Sequence, residues 1–211
     1  MSELILTFKT NGHIDPAMAR HSVKEQIVEA GLKSFLDKGF NGCGVQEITS
    51  TAGVPKGSFY NHFESKEALG AEIVDRYGEG TERRKTLRDR SLPPLKRLKR
   101  YFEELMLISV ESNFERGCLL GNFSAEVSTQ SPLIRERLDA IFVRWTKDIE
   151  TAIADAQEAG LVATDLKAAV LASVVLDAYE GAVLRAKVEK NRRPLDAFMK
   201  VTFTKILAPP G

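Results

Sequence analysis

The chain has 211 residues, of which 43% are hydrophobic and 28% are charged, and its formal net charge is +1. This length allows one large or two small domains with a core, and the composition is that of an ordinary globular protein. The near-zero net charge excludes a protein that holds nucleic acid by bulk electrostatic attraction, so any such binding depends on placed contacts. No apolar run approaches the roughly 20 residues that span a bilayer.

The two cysteines, Cys43 and Cys118, fit neither a disulfide framework nor a CxxC metal site. We therefore expect no metal, no cofactor and a reducing, cytoplasmic location. Residues 1–19 show no sustained periodicity and are expected to form a flexible extension, whose role stays open.

The first predicted helix follows Ser22, a predicted N-cap whose capping box is completed by Glu25. Its apolar side carries Ile27, Leu32 and Phe35 among others, and Gly39 is expected to end it.

Residues 44–63 predict two short helices joined by a tight turn. Gly53 supplies the positive φ that the turn needs, and Pro55 stands at the start of the second helix, where a missing N–H is harmless. Within that helix, expected over 56–63, Phe59 and Phe63 lie four residues apart and form a core face. The pattern is that of a helix-turn-helix.

The rest of the chain predicts further helices and no strand, which gives an all-α fold of about nine helices. A three-helix head, residues 20–80, is expected to carry a larger helical body, residues 81–211. The later helices are predicted over 66–87, 94–108, 118–127, 131–159, from a cap at Thr164 or Asp165 to about 190, and from 194 onwards.

The segment 168–184 is apolar almost all round, and a helix of that kind must be covered on every side. The chain offers too few other elements, so part of this helix is expected to meet a second subunit, with Ala178 and Gly181 allowing close approach. Asp177 should not lie there buried and unpaired. It is open whether it pairs with Arg185, binds a ligand or lies across a dimer interface.

Residues 52–69, AGVPKGSFYNHFESKEAL, resemble the DNA-reading segment of the TetR family of bacterial transcriptional repressors. Residues 30–48 resemble that family's first helix and Gly-Phe corner, and a looser resemblance extends over the remaining chain. The resemblance implies a homodimer, formed through the last two long body helices, that binds a near-palindromic operator in double-stranded DNA. It also implies that a small-molecule effector bound or attached in the body releases the DNA.

Lys56 and Asn61 carry groups that can recognise base edges, whereas the hydroxyl, imidazole and ammonium groups nearby suit phosphate oxygens. Gly57 would let the backbone approach closely, and Gln46 opens the preceding helix. The residues expected to contact DNA are Gln46, Lys56, Gly57, Ser58, Tyr60, Asn61, His62 and Lys66.

Residues 117–127, GCLLGNFSAEV, and residues 184–189, LRAKVE, resemble the NemR/AcuR-like branch of the family, which answers reactive electrophiles or small unsaturated acids. The resemblance implies that Cys118 and Lys187 meet near a ligand pocket, where an ammonium would lower the thiol pKa. The alternative is that Cys118 is a small core residue and Lys187 a surface charge. The other candidates for an effector pocket are Asn122, Trp145, Tyr179 and Arg185.

Two rival functions use the same residues. An enzyme could employ Cys118 as its nucleophile, but the histidines all lie in the head or before it, so no base and no catalytic residue is assigned. A helical module whose head binds protein rather than DNA is the second rival.

Overall fold

The computed structural model describes residues 22–79 and 83–209, so the predicted N-terminal extension lies outside the described residues. None of the described residues forms a strand, and the predicted all-α class is confirmed. A π-helical turn, Thr202–Ile206, follows the last α-helix. The α-helices in this part of the chain are α1 (Val23–Lys38), α2 (Val45–Ala52), α3 (Lys56–Tyr60), α4 (Lys66–Glu79), α5 (Arg83–Arg88), α6 (Pro94–Glu111), α7 (Leu119–Glu126), α8 (Pro132–Glu158), α9 (Ala168–Glu189) and α10 (Arg193–Val201).

Two predicted helix limits differ from these. The helix expected over 66–87 corresponds to α4 and α5, and residues 80–82 between them lie outside the described residues. The second helix of the helix-turn-helix ends at Tyr60 and not at Phe63. Lys167, rather than Thr164 or Asp165, precedes α9, and its carbonyl accepts the first hydrogen bonds of that helix.

The chain divides into two compact units. Their described parts are residues 22–79 with 123–137 in unit 1, and residues 83–122 with 138–209 in unit 2. Helices α7 and α8 each contribute residues to both units. The sequence pattern did not indicate this, because it placed one boundary between residues 80 and 81.

Unit 1 is built around α1. The Ser22 Oγ accepts a hydrogen bond from the Glu25 backbone N–H at 3.2 Å, so the predicted N-cap is confirmed. The buried face of α1 brings Phe35 against Phe40 and Phe123, with ring centroids 5.4 and 5.2 Å from that of Phe35.

The corner after α1 is held by the end of α7. The Asn41 backbone N–H donates to Glu126 Oε2 at 3.1 Å, and the Asn41 amide donates to the Glu126 carbonyl at 3.2 Å. Gly39 has a φ of 78°, and a Cβ there would overlap the Glu126 carboxylate, so only glycine fits this corner.

Arg76 joins α4 to α1. Its guanidinium donates to both carboxylate oxygens of Glu25 and, at 2.7 Å, to Glu72. The hydrogen bond from Arg76 holds the pKa of Glu25 below its usual value. The Glu25 side chain therefore ties two helices together instead of completing the predicted capping box.

We expect Arg76→Ala to lower the free energy of unfolding by about 2 kcal/mol, because it removes charge-assisted bonds to two partly buried carboxylates. Since the pKa of Glu25 is lowered in the folded state, this contribution is present at neutral pH and is lost as pH falls through the acid range. Urea unfolding at neutral and acid pH measures both effects. Arg88→Ala is the control, because Arg88 pairs with Asp148 while 67% exposed and should cost well under 1 kcal/mol. Equal losses in the two variants would contradict the prediction.

Unit 2 has an aromatic interior. The Phe102 ring lies 5.3 Å from Tyr179 and 5.0 Å from Phe198, and Tyr179 lies 6.2 Å from Trp145. All four side chains are buried, which places α6, α8, α9 and α10 around one core. No helix in the described ranges combines the length and apolar character needed to cross a membrane.

Candidate functional site

The helix-turn-helix of unit 1 has the predicted local geometry. Gly53 lies in the left-handed region with a φ of 69°, and the Val54 N–H donates to the Thr49 carbonyl at 3.0 Å. Phe59 and Phe63 are buried with their rings 5.6 Å apart, so the core face of α3 is as predicted.

The side chains on the other side of α3 are available to a partner. Tyr60 is 57% exposed, Ser58 is half-buried, and Gln46, Lys56, Gly57, Asn61 and His62 are exposed. Within the described ranges, Gln46, Lys56, Asn61 and His62 make no side-chain hydrogen bond or ion pair. A Cβ at Gly57 would meet nothing, so the chain's own packing does not require glycine there. These residues form a polar surface with unused donors.

Lys66 corrects one predicted contact. Its ammonium donates to the carbonyls of Phe40 and Cys43, each at 3.0 Å, and lies 4.2 Å from the centre of the Phe40 ring. Two of its three donors are therefore used inside the head. Lys66 fastens α4 to the corner after α1 and is not placed as a phosphate contact.

Cys43 belongs to the same corner. Its Sγ lies 3.6 Å from the Gly39 carbonyl, and burial raises the pKa of the thiol. A buried thiol with a raised pKa is a poor nucleophile. Cys43 therefore has a packing role, which agrees with its position in a tight loop.

The second cysteine has a different environment in unit 2. Cys118 is half-buried and lies one residue before α7. The carboxyl group of Glu180 on α9 lies close to it, because a Cβ at Gly121 would overlap Glu180 Oε2 and lie 3.8 Å from Cys118 Cβ. Burial and the charge of Glu180 raise the pKa of the thiol well above its usual value. Backbone N–H groups of Leu120 and Gly121 oppose this rise.

The predicted action of Lys187 on Cys118 is therefore wrong in this conformation. Lys187 is half-buried in the last turn of α9, but Glu180 is the charged group that acts most strongly on the thiol, and it raises the pKa. Lys187 is not among the main groups that act on the thiol.

Glu180 is held in an unusual position. Burial raises its pKa to about 7; the interaction with the Cys118 thiol opposes this rise, and the charge of Asp177 adds to it. A Cβ at position 121 would overlap Glu180 Oε2, so Gly121 makes room for the carboxyl group. The other oxygen, Oε1, is buried and has no hydrogen-bond partner within the described ranges.

Trp145 is also buried, at 5% exposed, and its Nε1–H has no acceptor in hydrogen-bond geometry among the described residues. Burial raises the pKa of Tyr101; an interaction with the Trp145 side chain opposes this rise, and the Cys118 thiol adds to it. Trp145 stacks on Phe142 at 6.3 Å and meets Tyr179 edge to face.

The remaining candidates are placed as follows. The Asn122 backbone N–H donates to the Cys118 carbonyl at 3.0 Å, and its side chain packs against Gly117. Arg185 pairs with Glu189 at 2.6 Å. Asp177 is exposed, and Arg185 pairs with Glu189, so of the three alternatives left open for Asp177 the pairing with Arg185 is not observed.

Sequence reasoning missed Glu180 and Tyr101. The signal for Glu180 was present, since it is a carboxyl group within the apolar run 168–184. Tyr101 belongs to the apolar face of α6 and carries no signal that separates it from core residues.

Two sequence families match the chain. The family described as "Bacterial regulatory proteins, tetR family" matches residues 27–73, which include the helix-turn-helix. The family described as "Tetracyclin repressor-like, C-terminal domain" matches residues 94–202, about half of the chain. The chain belongs to the TetR family.

Similar proteins agree with this. The chain is 43% identical to the transcriptional repressor DhaR of Mycobacterium sp. strain GP1, over 90% of this chain and 95% of DhaR. It is 31% identical to the transcriptional regulator AcuR of Cereibacter sphaeroides, over 91% of this chain and 87% of AcuR. The structure of the reduced form of Escherichia coli NemR matches with a TM-score of 0.79 and 27% identity, over 90% of this chain and all of that one.

The chain is thus a DNA-binding transcriptional repressor of the TetR type. The matched families and relatives are regulators and not enzymes, which rejects the cysteine-enzyme rival. The predicted family, including its likeness to AcuR and NemR, is confirmed.

Proposed function

We propose that the repressor acts in the cytoplasm as a homodimer on a near-palindromic operator and is released when a small electrophile attaches to Cys118. Each protomer would place α3 in one of two successive major grooves, about 34 Å apart. The proposed DNA binding rests on the exposed surface around α3. There the side chains of Lys56 and Asn61 make no hydrogen bond to the described residues and are available to DNA. Lys56 suits guanine and Asn61 suits adenine.

The last two long helices, α8 and α9, support the homodimer. Along α9 the apolar residues that face away from the core of unit 2 recur at helical spacing: Val170, Val174, Leu184 and Val188. Leu184 is 61% and Val188 is 78% exposed, and on α8 Val143 is 61% exposed. Ala178 and Gly181 lie exposed within the same stripe and leave room for a second helix. A two-fold contact between identical surfaces covers such a stripe.

The effector part rests on the surroundings of Cys118. The thiol of the half-buried Cys118 lies beside the carboxyl group of Glu180, and two buried polar atoms of unit 2, Glu180 Oε1 and Trp145 Nε1, have no hydrogen-bond partner among the described residues. Buried polar groups normally have partners, so this arrangement favours a polar ligand at the site. The solved structure of the relative NemR is described as a reduced form, which agrees with a redox-sensitive regulator.

Helix α7 offers a route from the effector to the head. It starts one residue after Cys118 and ends at Glu126, whose carboxylate and carbonyl accept hydrogen bonds from Asn41. An adduct that shifts α7 would alter the corner between α1 and α2. The effector would then favour the conformation that fits DNA poorly.

We expect an electrophile to release wild-type repressor from a labelled duplex taken from the DNA upstream of its own gene, and to leave Cys118→Ser bound. Fluorescence anisotropy with and without methyl vinyl ketone measures this. Cys43→Ala is the matched control, since Cys43 is buried in the other unit and its variant should respond as the wild type does. Retained binding in treated wild type would reject the cysteine switch and favour a reversible ligand. If neither this duplex nor a selection from random duplexes binds, the operator proposal fails.

A further inference from the structure

The carboxyl group of Glu180 has no assigned role, although it lies beside Cys118. Gly121 leaves the space that the carboxyl fills, since a Cβ there would overlap Glu180 Oε2 and lie 3.8 Å from Cys118 Cβ, and the thiol and the carboxyl group influence each other's pKa. Burying a carboxyl group costs free energy unless its oxygens are bonded, and Oε1 is not bonded within the described chain. A carboxyl group that is buried at a cost in free energy beside a thiol nucleophile suggests a chemical role for that carboxyl group.

We propose that Glu180 is the proton acceptor for Cys118 and that this pair selects an uncharged α,β-unsaturated carbonyl compound as effector. This inference rests on the proposed attachment of an electrophile to Cys118. The carboxylate form of Glu180 takes the thiol proton while the sulfur attacks the β-carbon of the alkene. The new C–S bond replaces the C=C π bond, whose electrons move to the α-carbon. The proton then passes from Glu180 to the α-carbon, so that nothing is oxidised or reduced and the carboxylate is restored.

The raised pKa of the thiol makes this help necessary. A thiol whose pKa lies well above the usual value is almost entirely protonated near neutral pH. A carboxyl group with a pKa of about 7, in contrast, is largely ionised just above that pH and can accept the thiol proton. The titratable groups that act on Glu180 are Cys118 across from it and Asp177 one turn earlier on α9.

The negative charge of the Glu180 carboxylate disfavours an effector that is itself negatively charged. Among the charged groups, Glu180 has the largest effect on the pKa of the Cys118 thiol. The buried Arg84 interacts with Tyr101 and is not among the groups that act on Glu180. An anionic ligand beside Cys118 would be repelled by the carboxylate of Glu180. The Nε1–H of Trp145, which has no acceptor in hydrogen-bond geometry among the described residues, is a donor only and suits an oxygen of the ligand.

The first experiment measures the rate of adduct formation at Cys118 with methyl vinyl ketone, by intact-protein mass spectrometry of the full-length repressor between about pH 6 and 9. We expect the wild-type rate to rise with a midpoint near pH 7, following Glu180. Glu180→Gln keeps the shape of the side chain but cannot accept the proton. Its rate should be at least about ten-fold lower near pH 7.5 and should rise steadily with pH instead of levelling off.

Two further variants separate proton transfer from packing. Gly121→Ala retains the carboxyl group but pushes it away from the thiol, and it should lower the rate as Glu180→Gln does. Asp177→Asn removes an exposed carboxylate from the same helix and should keep the rate within about two-fold. Because Asp177 raises the pKa of Glu180, its removal should move the midpoint to lower pH.

The second experiment compares iodoacetamide with iodoacetate, which differ in charge, with each rate divided by that of free glutathione. We expect wild type to favour iodoacetamide by about ten-fold or more and Glu180→Gln to lose most of this preference. Equal normalised rates in wild type would overturn the selection for uncharged effectors.

The outcomes distinguish this inference from the proposed function. If Glu180→Gln reacts at the wild-type rate with the same pH midpoint, the role of Glu180 is rejected while release by electrophiles stands. If Glu180→Gln is slowed but the adduct does not release wild type from DNA, the role of Glu180 stands and the proposed switch fails. If wild-type Cys118 forms no adduct, both are rejected.

Discussion

Lys56→Ala is expected to weaken binding of the operator duplex about 100-fold. A side chain that bonds a base edge contributes about 1–3 kcal/mol of discrimination, and a two-fold dimer loses two such contacts at once. Lys56 is exposed at the start of α3 and makes no hydrogen bond or ion pair in the described chain, so its removal should leave the fold unchanged. Anisotropy titrations at fixed salt measure the change in affinity.

Lys96→Ala is the matched control. Lys96 is an equally exposed lysine on α6 of unit 2, and we expect its variant to bind DNA as the wild type does. If Lys56 bonds a base, Lys56→Ala should also lose preference at one operator position, whereas a phosphate contact would lower binding to all sequences alike. Equal affinities for the Lys56 and Lys96 variants would place the DNA-reading surface elsewhere.

Leu184→Glu is expected to convert the dimer to monomers at micromolar protein concentration, with a rise of at least about 1,000-fold in the dimer dissociation constant. The substitution would place an unpaired carboxylate in the apolar stripe of α9, and the two-fold axis would double the cost. Sedimentation velocity measures the change. Operator affinity should fall with it, since one protomer engages only one half-site.

Leu107→Glu provides the control for Leu184→Glu. Leu107 is 54% exposed on α6, so this variant makes the same chemical change on a leucine outside the stripe. We expect Leu107→Glu to stay dimeric. A dimeric Leu184→Glu protein would show that the two copies meet through another surface, and monomers in both variants would point to general damage rather than an interface.

The helix-turn-helix could be predicted from the sequence because its determinants are local. Gly53 in the turn, the Ser22 cap and the four-residue spacing of Phe59 and Phe63 each act within a few residues, so the printed order of residues carries them. The same holds for the all-α class, since helical periodicity is visible along each segment.

The surroundings of single side chains were decided by the tertiary structure. Lys66 looked like a phosphate ligand from its place after α3, but the fold brings it to the carbonyls of Phe40 and Cys43. Glu126 closes the Asn41 corner from 85 residues away, and periodicity carries no information about such a pairing.

Cys118 shows the difference most clearly. The sequence by itself determined the helices and the helix-turn-helix, because helix periods, caps and turn residues are short-range properties, and its resemblance to the TetR family indicated a DNA-binding regulator with a cysteine in its body. Whether that cysteine meets an ammonium or a carboxyl group depended on which turn of α9 faces the start of α7, and Gly121 admits Glu180 there. The pKa of a thiol is set by burial and by charges within a few ångströms, and only the packing of distant helices brings those charges together.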